Sequence, residues 1–144
     1  MDACEDGVEF FKLNKLNKLK FGDAIRKAVE LGNFDYANWF IAHSLTRINR
    51  IKYAVYAAEL VLPIFEKEYP NDNRPRLAIA AAKLVIADDC ELNRYAAYKV
   101  PYAAYASANA AYAAANAAGA ARAVAYDADY VNKIIEYGIL LLEL

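Results

Sequence analysis

Few side chains in this chain could do covalent chemistry, and none stands in a spacing that such chemistry needs. His43 is the single histidine, which excludes any two-histidine mechanism and most zinc enzymes. It shares a stretch with Trp39 and Phe40, so packing or a place at the rim is expected of it. A catalytic base would need an orienting partner that the sequence does not supply. Cys4 and Cys90 make neither a disulfide framework nor a zinc spacing. Cys90 stands among Asp88, Asp89 and Glu91, the wrong electrostatic setting for a thiolate nucleophile. Those acids could hold a hard cation through oxygen ligands. They lack loop spacing and a glycine turn, however, and acids just before a helix are common. Ser44 and Ser107 lie in no nucleophile motif, and no two glycines stand close enough to cradle a phosphate. The sequence therefore predicts no enzyme, no cofactor and no metal.

Charge of both signs gathers instead at one turn. Glu66, Lys67, Glu68, Asp72, Arg74 and Arg76 lie in and around Tyr69-Pro70-Asn71-Asp72-Asn73-Arg74-Pro75-Arg76. An arginine here can tie the loop to Glu66 or to helix-end carbonyls, a usual service of charged loop residues. It can equally present its planar fork to the carboxylates of a protein partner. Both readings stand on the sequence. The candidate partner-binding residues are thus Glu66, Asp72, Arg74 and Arg76, joined by Tyr98 and Tyr105 from a second pattern. In that pattern Tyr95, Tyr98, Tyr102, Tyr105, Asn109, Tyr112, Asn116 and Gly119 step by three and four residues, the seam spacing of a packed helix. A buried tyrosine needs a partner for its hydroxyl. The stripe is therefore core with hydroxyls reaching the rim or the asparagines, or an exposed strip that docks a protein, since tyrosine is enriched at interfaces.

The elements that must position these groups read as helices. Alanine, the best helix former, supplies 31 residues, while glycine and proline number 5 and 4. Helices are expected over about Asp23 to Leu31, stopped by Gly32-Asn33; Asp35 to Leu45; Ile48 to Glu68, kinked at Pro63; Pro75 to Ala87, capped by Asp72 or Asn73; Glu91 to Ala118; and Ala120 to Leu142. Leu77, Ile79, Leu84 and Ile86 carry the apolar side of the fourth. Before them, Lys12-Leu13-Asn14-Lys15-Leu16-Asn17-Lys18-Leu19-Lys20 reads as a short amphipathic helix, or as a basic patch for an anionic partner. The fold class is all-α: a bundle of about five to six helices around a long central alanine-rich helix.

At 144 residues the chain is expected to be a single helical domain, 1–144, with residues 1–21 a loosely attached segment. Such a chain buries about two-thirds of its unfolded surface and needs no staples. A net charge of -1 draws it neither to nucleic acid nor to an anionic membrane. Residues 100–121 are uncharged, long enough for a membrane span. Alanine sits near neutral on insertion scales and the asparagines oppose insertion, so a buried helix is expected. The acidic start Met1-Asp2-Ala3-Cys4-Glu5-Asp6 has no apolar core for a signal peptide, and with the cysteine usage it points to the cytoplasm.

Ala57-Ala58-Glu59-Leu60-Val61-Leu62-Pro63-Ile64-Phe65-Glu66, running into the Pro70 to Ile79 segment and then into Ala-Ala-Tyr-Ala and Ala-Ala-Asn-Ala runs, resembles a known pattern. It is similar to the alanine-rich, immunity-protein-five-like group of immunity proteins in bacterial polymorphic toxin systems. The resemblance spans roughly residues 36 to 130. Family members often carry histidines on the alanine helices, where this chain has tyrosine and asparagine, and no catalytic residue transfers. The resemblance implies an all-helical, non-enzymatic protein that neutralises a toxin by stoichiometric binding. The alternative is a self-associating structural or regulatory helical module of phage or mobile-element origin, a homodimer through its alanine and tyrosine faces.

Overall fold

Long stretches rich in alanine and poor in glycine leave helix as the lowest-cost backbone, and the computed structural model is all-α. It describes residues 5–97 and 128–144. In order come α1 (Glu5–Leu13), a 3-10 turn (Leu16–Lys18), α2 (Phe21–Glu30), α3 (Phe34–Ser44), α4 (Arg47–Glu68), α5 (Arg74–Ala87) and α6 (Ala128–Glu143). Residues 91–97 are also helical, and the described residues contain no strand. The remainder of the expected alanine-rich helix, with Tyr98 and Tyr105, lies outside the described residues. No described helix is long and apolar enough to cross a membrane. The described chain divides into two compact units, Met1–Leu45 with Ile135–Leu144, and Thr46–Ile134.

In the first unit, α2 stops where Gly32 takes φ 79°, a left-handed geometry that glycine adopts without a Cβ penalty. The Asn33 N–H donates to the Ala28 carbonyl and the Gly32 N–H to the Val29 carbonyl, both at 2.9 Å. These two bonds are the Schellman pair that satisfies carbonyls left over at a helix end. The expected lysine–leucine helix is broken. Asn14 donates its side-chain amide to the Phe10 carbonyl at 2.9 Å, ending α1, and Lys15 follows at φ 57°. Local side-chain bonding of this kind competes with helix continuation. Leu16, Ile25, Ala28, Ala37 and Ile41 are all 0–1% exposed. Gly22 lets α6 approach closely, since a Cβ there would stand 3.2 Å from the Ile139 side chain. Outside that contact Arg26 grips Glu136 with Nε and Nη2, at 2.7 and 2.8 Å.

In the second unit, the Thr46 hydroxyl accepts the Asn49 N–H at 3.3 Å, capping α4 one turn in. The helix runs through Pro63, whose ring nitrogen cannot donate to the carbonyl one turn back. Tyr53 and Val55 on α4 and Ala81 and Val85 on α5 are buried, and burial pushes the Tyr53 hydroxyl pKa upward. Three ion pairs link the two helices or their ends: Glu66 with Arg76, Glu59 with Lys83, and Asp89 with Arg47. Moving back along α4 matches moving forward along α5, so α4 and α5 form an antiparallel hairpin with the charged turn at its tip.

Candidate binding site

The hairpin tip is ordered by its own charges. Arg76 donates from Nε and Nη2 to the two carboxylate oxygens of Glu66, each at 2.8 Å. Arg74 makes the same fork on Asp72, with Nε 2.8 Å from Oδ1. Asp72 Oδ1 also accepts the Arg74 backbone N–H at 3.1 Å. It therefore satisfies one of the free amides at the start of α5 and sits where the helix dipole favours an anion. Pro75 occupies the first turn of α5, where a missing N–H costs nothing. The tie from an arginine to Glu66 is thus present. Each fork uses Nε and Nη2, so the Nη1 edge of each guanidinium is turned to no acceptor among the described residues. Arg76 keeps 64% of its side chain exposed while its partner Glu66 keeps 29%. A guanidinium held in one orientation, with one edge open, can take a second carboxylate at lower entropic cost than a free one.

Sequence reasoning missed two exposed leucines of α5. Leu77 and Leu84 are each 53% exposed. Ala81 and Val85 are the buried positions of α5, and the two leucines flank that stripe, half-exposed. Their spacing of seven residues, two helical turns, was the available signal that they share a face. Leu77, next to Arg76 in the chain, places apolar area beside the charged fork.

The remaining candidates settle differently. The His43 Nδ1 lies 2.8 Å from the Trp39 carbonyl. A carbonyl only accepts, so Nδ1 carries the proton. The imidazole stacks on the Trp39 indole at 4.1 Å between centroids, a packing role. Asp89 is held by Arg47 and by Arg94, the latter at 2.7 Å. No group of three or more His, Cys, Asp or Glu side chains able to hold a metal ion occurs among the described residues. Asn93 closes the end of α5, donating to the Asp88 carbonyl at 2.8 Å. Tyr98 and Tyr105 lie outside the described residues.

These pairs set an acid response. The hydrogen bond from Arg74 holds the Asp72 pKa below the usual carboxylate value. Arg94 first, then Arg47, does the same for Asp89, and Arg26 does so for Glu136. A carboxyl whose folded pKa is depressed contributes stability that is complete above its unfolded pKa and is lost as pH falls through the folded one. Thermal unfolding followed by circular dichroism should therefore show a midpoint contribution that is level from neutrality to about pH 5 and declines below about pH 4. A decline already under way near neutrality would contradict these pairings.

A family model described as Imm-5 like putative immunity protein matches residues 43–144. That range takes in the whole α4–α5 hairpin, both arginine forks and the outward leucines. The chain belongs to this family. The Imm-5 like match starts at His43, so α1, α2 and nearly all of α3 precede it. Neither the curated proteins nor the solved structures give a match.

Proposed function

We propose that this Imm-5 like chain neutralises a toxin by binding it one to one, in the cytoplasm, without performing chemistry. The observation that carries this reading is the family match over residues 43–144. The hairpin tip inside that range supports it, since Arg76 and Leu77 join a prearranged fork to exposed apolar area. Anchors of this kind dominate protein interfaces, which need about 800 Å² from each partner. Glu66, Asp72 and Arg74 serve the contact by holding the tip in shape, and Tyr98 and Tyr105, outside the described residues, are the further candidates for contact with the partner. Blocking a toxin asks only for complementary surfaces, which suits a chain whose lone histidine is spent on packing.

Calorimetric titration with a candidate toxin domain, sought first among the products of the genes adjacent to this chain's own, tests the proposal. Saturable one-to-one binding with rescue of toxin-expressing cells is expected, and absence of both contradicts it. The exposed Leu77 and Leu84 also favour a second reading, self-association into a homodimer. Light scattering separates the two: a tight dimer that buries these leucines and ignores the toxin supports the second.

A further inference from the structure

We propose that the first unit carries a binding site for a single-chain anionic amphiphile, with its tail in the cavity among α1, the 3-10 turn, α2 and α3 and its head at Lys12. The cavity holds about 760 Å³, within the roughly 300–1,000 Å³ of small-molecule sites. Val8, Phe11, Leu16, Phe21, Trp39 and Phe40 give it an apolar wall. Phe40 is stacked on Phe11 at 5.1 Å and lies 5.0 Å from Phe21 between centroids, so the wall is a braced aromatic surface. Four elements hem the space in. That space admits a chain or a small ring system.

The sign of the head group follows from the charges. Lys12 lines the cavity, and Lys15, Lys18 and Lys20 follow along the segment that contributes Leu16, Asn17 and Leu19 to the lining. Residues 12–20 contain no acid. All four lysines are exposed, and none forms an ion pair among the described residues, whereas Lys27 nearby pairs with Glu30 at 2.7 Å. Lysine can lay its stem along apolar surface and keep its ammonium at the water boundary, which is where an amphiphile places its head. Asp35 is the acid on the lining. It stands on the α3 side and repels an anion toward Lys12. The lining residues all lie before residue 43, where the family match begins.

Trp39 is the single tryptophan and reports directly on the cavity. Dodecanoate, added to the full chain below its micelle concentration, should shift Trp39 emission to the blue and saturate at one molecule per chain. Lys12→Glu should weaken this by roughly tenfold, because the head then meets a like charge, and Lys12→Arg should retain it. Dodecyltrimethylammonium, with the same tail and the opposite charge, should bind at least about tenfold more weakly than dodecanoate. Lys12 is exposed, so these variants keep the fold, as far-ultraviolet circular dichroism would verify. Three results overturn the proposal: no saturable shift, equal affinity for the two amphiphiles, or a folded Lys12→Glu variant that binds as tightly as the parent. Trp39 emission that changes on simple dilution would assign the cavity to a second copy of the chain and overturn it too.

Discussion

Ile41→Ala should lower the unfolding free energy by about 2–5 kcal/mol, the range for deleting a buried branched aliphatic side chain. Ile41 lies on α3 and is 0% exposed. Its truncation removes apolar area from a packed interior and leaves a void that the surroundings fill only in part. Against a total stability of roughly 5–15 kcal/mol for a domain, such a loss is large. Leu77→Ala is the matched control. Leu77 is 53% exposed, and a surface truncation away from special features should stay within about 0.5 kcal/mol. Urea unfolding of the two variants reads the difference. Similar small losses for both would mean that α3 does not pack as described.

The double variant Arg76→Ala, Leu77→Ala should raise the dissociation constant for the toxin on the order of a hundredfold, the effect of removing a central anchor pair. It should leave thermal unfolding nearly unchanged. Arg76 and Glu66 form an exposed pair, and exposed pairs contribute little to stability because solvent and salt screen them. The split between the two readouts is what matters. A large fall in the unfolding midpoint with affinity intact would make the Glu66–Arg76 fork a structural tie alone. Glu66→Gln provides a further check. It keeps the shape, frees Arg76 from its internal carboxylate, and should weaken binding less than loss of the arginine itself.

Much of the fold could be read from particular residues. Gly32-Asn33 marked the end of α2 because only a residue tolerant of positive φ closes a helix that way. Asp72 or Asn73, with Pro75, marked the start of α5, since proline fits a first turn and not an interior, and it is Asp72 whose side chain accepts the first amide. The break at Lys15 was hidden because lysine has no preference for the left-handed region. The bond from Asn14 to the Phe10 carbonyl that ends α1 depends on a rotamer and not on spacing. At the site, the sequence supplied both acids and both arginines of the tip and a tie to Glu66. It did not supply the pairing of Arg74 with Asp72, a contact two residues apart that exists only once Asp72 has turned to face the start of α5. The half-exposure of Leu77 and Leu84 was equally hidden, because spacing places apolar residues on a helix without saying which of them the neighbouring helix covers.

Co-expression is the most direct test of the central claim. Cells producing the candidate toxin domain should survive when the intact chain is supplied in equimolar amount. The two proteins should then leave a sizing column together, with a light-scattering mass equal to one of each. Survival without a complex, or a complex that forms while the cells still die, would contradict neutralisation by contact.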